Sequence, residues 1–325
     1  MKTKYISDFT ERELLENVPL LLRDLTRRTT KDNRPYALCT FSDNSGQING
    51  VFWDIPAHID AWLRPGLVLL VSGQVNNYRE ALQISVSDVN QWLVPDMSYF
   101  LPTSARPGNE MIAELRQTIA GLAEPWQELV AHILLADDFL PRFASAPAAR
   151  TMHHACIGGL LEHTLSMAQI ARYLAGHYDY VNLDLLLTGT LLHDAGKALE
   201  YAVADGFSFS DDGRLVGHIV RAVAMVEKAA AELNTIPAGE LRQLVHLIAS
   251  HHGTLEWGSP VLPKTLEAIL LHQIDLLDSR IQGFYDHWQN DNGDGLWSVK
   301  SSYMFNTELR RPAGLHTSPD ADSSE

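Results

Sequence analysis

The spacing of apolar residues changes once along the 325-residue chain, and this change constrains the fold more than any other feature. Between residues 16 and 92 the apolar residues form short runs rich in β-branched and aromatic types, which is typical of strands. From Glu110 onward they recur every three or four residues, as on one face of a helix, and one of the predicted helices covers 182–200. The sequence therefore predicts a β domain followed by an all-helical domain.

The β part contains five strand candidates and one short helix candidate. A turn signal at 43–46 separates the second and third strands, and a helix is predicted at 56–63, before the fourth. This layout is that of an OB-fold barrel, although another small barrel or sandwich has a similar strand pattern. The predicted strands are 18–30, 36–41, 47–53, 67–75 and 82–89.

These patterns divide the chain into five segments. A linker is predicted where Pro, Ser and Gly cluster, and the Ser- and Asp-rich end reads as disordered. The segments are an N-terminal arm at 1–14, an OB-like barrel at 15–95, a linker at 96–109, an all-helical domain at 110–311 and a disordered tail at 312–325.

Charge limits the way in which this chain could bind nucleic acid. The formal net charge of −15 argues against a broad nonspecific grip, but it leaves room for a local basic groove. Residues 23–34 carry five basic and two acidic side chains. In an OB fold the loops at 31–34 and 76–80 flank the nucleic-acid face. We therefore predict Arg34, Tyr78 and Arg79 as nucleic-acid-binding residues.

Two cysteines, Cys39 and Cys156, lie in apolar runs and are expected to be buried free thiols, which fits a reducing compartment. The N-terminus lacks the apolar stretch of a signal peptide, and no segment is long enough to span a bilayer. We expect a cytoplasmic protein with no membrane partner. The sequence leaves open whether copies of the chain form a homo-oligomer.

Seven potential metal ligands lie in apolar stretches of the helical half. Burying such a side chain costs several kcal/mol unless it is paired or bound to a metal. Imidazole with carboxylate suits Mn, Fe or Zn, and seven ligands are too many for one ion and about right for two. The pattern predicts a two-metal site that activates water against a phosphate ester. The seven are His163, His193, Asp194, His218, His251, His252 and Asp275.

Taken singly, each of these positions is more often a hydrogen-bonded core residue or a cap than a metal ligand. The ordered set favours a metal site, because independent accidents would not place every member in an apolar helix. His154, His246 and His272 show that the chain carries more histidines than the site needs.

The order His163, His193-Asp194, Asp275 resembles the core pattern of the HD superfamily of metal-dependent phosphohydrolases. Residues 192–197, Leu-His-Asp-Ala-Gly-Lys, are similar to its central motif. The added histidines resemble its two-metal branch. Segments 250–260 and 271–278 are similar to the YhaM-type 3′→5′ exoribonucleases, which join an N-terminal OB domain to a C-terminal HD domain.

That resemblance implies an exonuclease, commonly manganese-dependent, that removes nucleotides from the 3′ ends of single-stranded RNA or DNA. Fe, Zn, Co or Mg would also suit the ligand set. Lys197 is implied to steady the phosphate, so Asp194 and Lys197 are the predicted catalytic residues. The resemblance implies one metal held by His163, His193, Asp194 and Asp275, and a second held by His218, His251 and His252, with Asp194 as the bridge.

Two other functions remain open. An HD phosphodiesterase of small or cyclic nucleotides is one, but its cyclic-dinucleotide branch carries Gly-Tyr-Pro after the paired histidines, where this chain has Gly253-Thr254-Leu255. The other is a non-catalytic nucleic-acid-binding protein whose metals are structural, although structural sites usually need fewer ligands. Asp278, on nearly the same helix face as Asp275, is expected to be a partner of a ligand or a cap.

Overall fold

The computed structural model describes residues 2–79, 81–93, 95–150, 154–203, 206–291, 293, 295–302 and 304–312. The predicted tail at 312–325 lies outside these residues except for Pro312. Within the described part of the chain, no helix is long and apolar enough to cross a membrane.

The N-terminal strands form a closed barrel with the OB-fold arrangement predicted from the sequence. Neighbouring strands follow the order β1-β2-β3-β5-β4, and β4 returns to pair with β1. All pairs are antiparallel except β3 with β5. The elements are β1 (Leu14–Thr29), β2 (Pro35–Asp43), β3 (Gly46–Trp53), α1 (Ala57–Asp60), β4 (Val68–Tyr78) and β5 (Ala81–Gln91).

Strand β1 closes the barrel because it pairs with two neighbours. Its register shifts between Leu15 and Val18 against β4, and between Leu22 and Asp24 against β2. Such irregularities bend a strand, which lets its first half pair with one neighbour and its second half with the other. Arg23 lies at the second shift.

Alternation along the strands separates the barrel core from its surface. Phe52 is 2% exposed and the next residue, Trp53, is 52% exposed, since consecutive strand residues point to opposite faces. Trp53 stacks on Tyr36 with ring centroids 4.7 Å apart. Cys39 is buried in this core, whereas Cys156 is only half-buried, so the expectation of two buried thiols is correct for Cys39 alone.

The second half is helical around one continuous apolar core. This confirms the predicted helical domain, which also contains one short two-stranded hairpin. The elements are α2 (Gly108–Ala120), α3 (Trp126–Leu134), α4 (Leu140–Ser145), α5 (Gly159–His177), α6 (Leu183–Leu192), α7 (Lys197–Glu200), β6 (Tyr201–Ala202), β7 (Ser208–Phe209), α8 (Asp211–Leu215), α9 (His218–Leu233), α10 (Ala238–Ser250) and α11 (Leu266–Gln289).

One predicted helix, at 182–200, is divided in two. Helix α6 ends at Leu192 and α7 begins at Lys197. The connecting turn brings Gly196 against the start of α9, where a β-carbon on Gly196 would lie 2.1 Å from the His218 carbonyl oxygen. Any residue with a β-carbon at 196 would clash with the His218 carbonyl, so the close approach of this turn to α9 requires glycine.

The segment predicted as a linker is packed between the two domains. Phe100 and Leu101 are buried with Leu21 and Val68 of the barrel and with Phe207 of the β6–β7 hairpin. These apolar contacts hold the barrel against the helical domain, and the linker residues are buried between the two domains.

Candidate metal centre

The seven predicted metal ligands converge at one place in the helical domain. Three overlapping groups have ligand atoms within 4.8 Å of one another: His163 with His193 and Asp275, His193 with Asp194 and His251, and His218 with His251 and His252. Because neighbouring groups share a histidine, the seven side chains form a single cluster.

Four of the seven do not lie on helices, contrary to the expectation from sequence. His193 and Asp194 are in the turn after α6, and His251 and His252 are in the turn after α10. The last carbonyls of a helix have no donor within the helix. His193 Nδ1 donates to the Thr190 carbonyl at 2.8 Å, and His251 Nδ1 donates to the Ile248 carbonyl at 2.7 Å. Each imidazole thereby donates to a carbonyl oxygen in the last turn of the helix that precedes it.

The other three histidines of the cluster are held in the same way. Nδ1 of His163 donates to Asp278 Oδ2 at 2.7 Å, and Nδ1 of His218 donates to Glu200 Oε1 at 3.1 Å. Nδ1 of His252 donates to the Trp257 carbonyl at 2.6 Å. A carbonyl or carboxylate oxygen only accepts, so each Nδ1 carries a proton. In a neutral ring, Nε2 then carries the lone pair that a metal ion would bind.

Asp194 lies between the two sets of imidazoles. Its Oδ1 is 3.5 Å from Nε2 of His218 and 3.5 Å from Nε2 of His251. Its Oδ2 is 3.3 Å from Nε2 of His193 and accepts from Lys197 Nζ at 2.6 Å. One carboxylate therefore faces both ends of the cluster. On the far side, Asp275 Oδ1 is 3.3 Å from Nε2 of His163.

Several buried atoms at the centre have no hydrogen-bond partner among the residues that the structure describes. They are Nε2 of His193, His218 and His251, together with Oδ1 of Asp194. A buried polar atom left unsatisfied costs about 1–3 kcal/mol, so four of them at one point require an explanation. Divalent cations would satisfy all four, and nitrogen with carboxylate oxygen is a donor set that first-row metals accept. The residues therefore fit a metal site.

Electrostatics keep the central carboxylate ionised. Burial alone would raise the pKa of Asp194, but the Lys197 ammonium and then His193 hold it well below the usual value. Burial and then the neighbouring His251 lower the pKa of His252 to about 4, so this ring is neutral at pH 7.

His163 behaves differently from His252. Burial alone would lower the pKa of His163, but hydrogen bonds to Asp275 and Asp278 raise it to about 9. Without a metal the ring therefore holds a proton at neutral pH, and metal binding must displace that proton.

Two residues that support the ligands were not assigned this role from the sequence. Glu200 was missed, since only its charge within the apolar context of Leu199 and Tyr201 could have drawn attention to it. For Asp278 the sequence allows either a partner of a ligand or a cap. The structure shows it as the partner of His163, and its second oxygen accepts from Ser166.

The barrel residues predicted to bind nucleic acid occupy two places. Tyr78 ends β4 and is 55% exposed, and the Arg79 guanidinium lies 5.3 Å from its ring centroid. The loop predicted at 76–80 is shorter than expected, because β4 continues to Tyr78. Arg34 lies in the β1–β2 loop, where its backbone N–H donates to the Thr30 hydroxyl.

Comparison with known proteins assigns both halves of the chain. The HD domain family matches residues 160–280, and the family described as an OB-fold nucleic acid binding domain matches residues 24–91. The chain is 32% identical over 268 residues to the 3′-5′ exoribonuclease YhaM of Geobacillus sp. (strain WCH70), across 82% of this chain and 82% of that protein.

Two solved structures are similar to single domains. The second OB-fold domain of replication protein A from Methanococcus maripaludis matches 29% of this chain and 98% of its own, with a TM-score of 0.24 and 21% identity. The HD domain of the L. monocytogenes phosphodiesterase PgpH matches 49% of this chain and 74% of its own, with a TM-score of 0.30 and 18% identity.

Proposed function

The chain belongs to the YhaM family, and on that premise we propose that it is a metal-dependent 3′→5′ exonuclease of single-stranded RNA. Its HD domain and its YhaM relationship make it a hydrolase of the HD phosphohydrolase class. The observation that carries the proposal is the buried convergence of unsatisfied Nε2 atoms around Asp194 in a chain that also has an OB-fold barrel. Single-stranded DNA is the alternative polymer.

The proposed cofactor is two divalent ions, with manganese as the first choice. When bound, the ions would lower the pKa of a water molecule and offset the charge of the phosphate. Asp194 faces both ends of the cluster and is the proposed bridge. The proposed ligands are His163, His193, Asp194 and Asp275 for one ion, and Asp194, His218, His251 and His252 for the other.

The chain's own residues supply the rest of the chemistry. Lys197 uses one of its ammonium protons on Asp194, and the two others are available to a phosphate oxygen. Its burial strengthens this charge, because the low local dielectric screens it less than water does. The outward hydrogen bonds of the five histidines keep their Nε2 atoms aimed at the reaction centre.

The barrel is proposed to hold the polymer. Tyr78 would stack on a base, and Arg34 and Arg79 would contact phosphates. Base stacking contributes about 1–3 kcal/mol, so Tyr78→Ala in the full chain should weaken RNA binding by about 5- to 150-fold. Hydrolysis of a small phosphodiester should stay unchanged. Equal losses on both substrates would mean that Tyr78 supports the helical domain and does not contact RNA.

A defined oligonucleotide tests the activity. The full chain is incubated with Mn²⁺ and a single-stranded RNA labelled at its 5′ end, and the products are resolved on a denaturing gel. Shortening one nucleotide at a time is expected, and Asp194→Asn should abolish it. Asp179→Asn, at an exposed aspartate in the turn before α6, is the matched control and should retain activity.

Other outcomes would overturn the proposal. An intact RNA together with hydrolysis of a small nucleotide would identify a small-molecule phosphodiesterase. RNA binding without turnover under Mn²⁺, Mg²⁺, Co²⁺, Fe²⁺ and Zn²⁺ would identify a binding protein with structural metals.

A further inference from the structure

A cavity of about 540 Å³ lies at the junction between the barrel and the helical domain. Three arginines line it: Arg23 on β1, Arg64 in the turn before β4, and Arg150 in the segment before α5. Its other lining residues in the described part of the chain are uncharged. A concentration of positive charge in a chain with a net charge of −15 indicates a site for an anion.

None of these arginines forms an ion pair with a carboxylate that the structure describes. Arg23 Nη1 donates to the Gly206 carbonyl at 3.3 Å, and the Arg150 guanidinium lies 5.0 Å from the Phe209 ring centroid. Burial and then the charge of Arg150 lower the pKa of Arg23, so the two guanidinium groups are close enough to repel each other. An anion between them would remove that repulsion and accept from both groups.

The β6–β7 hairpin connects this cavity to the metal centre. Its turn lines the cavity with Gly206 and Phe207. Its two strands pack Tyr201 against Phe209, with ring centroids 5.4 Å apart. Burial raises the pKa of Tyr201 to about 12, while the charges of Lys197 and Arg150 both act to lower it. Tyr201 also directly follows Glu200, which accepts from Nδ1 of His218, so the hairpin is joined to the metal centre through the chain itself.

The position suits a polymer better than a single small ligand. Residues of the barrel and of the β6–β7 hairpin both line the cavity, and β6 directly follows Glu200, the partner of His218. A strand that contacts both domains has to pass their junction, and it carries a phosphate at every nucleotide. Arginine is the side chain best matched to a phosphate, since its planar guanidinium donates two parallel hydrogen bonds.

We infer that Arg23, Arg64 and Arg150 bind backbone phosphates of the nucleic-acid strand, on the 5′ side of the nucleotide that is hydrolysed. The inference rests on the proposed function, because it requires a polymeric substrate. Contacts to phosphates carry no sequence information, so the site should hold any sequence equally well.

The salt dependence of binding tests this site. The full chain carrying Asp194→Asn binds a fluorescent single-stranded RNA without hydrolysis, and fluorescence anisotropy gives the affinity at a series of KCl concentrations. Adding Arg23→Ala and Arg150→Ala should reduce the slope of log K against log salt by about 1.4, at roughly 0.7 for each lost contact with a single strand. Arg116→Ala, at an exposed arginine on α2, is the matched control and should leave the slope unchanged.

Lysine variants test whether the effect of the alanine variant comes from a folding defect. Arg23→Lys with Arg150→Lys keeps the charges, so the slope should return towards that of the parent while the affinity stays lower, since lysine lacks the paired donors. An unchanged slope in the alanine variant overturns the inference. A slope that is lost in both variants, together with a lower melting temperature, assigns the arginines to packing and also overturns it.

Hydrolysis assays distinguish a failure of this inference from a failure of the proposed function. In the chain with Asp194 intact, the alanine variant should degrade long RNA more slowly and cleave a dinucleotide at the parental rate. Equal loss on both substrates would place the arginines at the scissile phosphate and overturn the 5′ position. If the parent degrades RNA and the variant matches it, only the arginine site fails. If the parent degrades no RNA, the proposed function fails. The slope of log K against log salt then still tests whether the arginines contact RNA phosphates.

Inorganic phosphate distinguishes a site for an RNA strand from a site for a free anion. A site for free phosphate would raise the melting temperature of the parent in phosphate, but not that of the alanine variant, and would leave the RNA slope unchanged. That combination overturns the inference.

Discussion

Replacing Asp278 by asparagine tests whether the hydrogen bond behind His163 governs metal binding. The buried Asp278 carboxylate accepts from His163 Nδ1 at 2.7 Å, and it also accepts from Ser166. Nε2 of His154 lies 3.3 Å from the same oxygen as His163 Nδ1. Asparagine has nearly the same shape, and its one oxygen can still accept from His163. The change therefore removes a negative charge while it leaves the packing in place.

The expected effect follows from the role of this contact. Losing such a partner of a metal-binding histidine typically costs 10–100-fold in metal affinity, which is about 1.4–2.7 kcal/mol. The substitution also lowers the pKa of His163, so a proton competes less strongly with the metal ion for Nε2 of this ring. An ion with two charges gains more from the carboxylate than a proton does, so we expect weaker metal binding to prevail.

The effect should be confined to one of the two proposed ions. After removal of bound metal by chelation, Mn²⁺ titration by isothermal calorimetry should show a weaker dissociation constant for the His163 side of the cluster alone. Glu267→Gln is the matched control: Glu267 is another buried carboxylate of α11, and it accepts from the Asn182 backbone N–H. That control should bind Mn²⁺ like the parent.

Two results would refute this reasoning. If Asp278→Asn keeps its helical circular dichroism and binds both ions with parental affinity, the contact behind His163 does not govern the metal. If both ions weaken equally, Asp278 acts on the whole cluster through packing or long-range charge.

Two further predictions concern protons and packing. With a pKa of about 9, His163 holds its proton below that pH and gives it up to a metal, so Mn²⁺ binding at neutral pH should release about one proton from this ring. Calorimetry in buffers of different ionisation enthalpy measures the release, which should vanish above pH 9; no release at pH 7 would contradict the hydrogen-bond arrangement. Gly196→Ala would place a β-carbon 2.1 Å from the His218 carbonyl oxygen, so it should destabilise the chain by about 1–3 kcal/mol and lower hydrolysis by displacing His218. Gly239→Ala, where nothing lies within 4 Å, should be neutral in thermal melts and rate assays, and equal behaviour of the two variants would contradict the close approach.

The sequence predicted most of what depends on local pattern. Alternating and helical periodicities identified the barrel and the helical half, because strands and helices that bury one face must repeat apolar residues at their own periods. The cluster residues could be selected because a histidine or carboxylate in an apolar run must be satisfied by something. The helix at 182–200 was wrong in its second half, since its end depends on how closely Gly196 approaches α9.

Contacts between distant segments could not be predicted in the same way. Glu200 supports His218 across 18 residues, and Asp278 supports His163 across 115. Neither pairing has a periodic signal. The half-buried state of Cys156 likewise depends on which segments pack over it.

The sequence by itself determined which residues of this protein are available for metal chemistry and which halves form sheet and helix, since both follow from apolar patterning and side-chain type. Only the tertiary structure decided that seven side chains meet at one point, that four imidazoles place Nε2 within 4.0 Å of the Asp194 carboxylate, and that three arginines from two domains share a cavity. Those outcomes depend on packing between segments far apart in the chain, and the energies of such contacts are set by distance and burial in space.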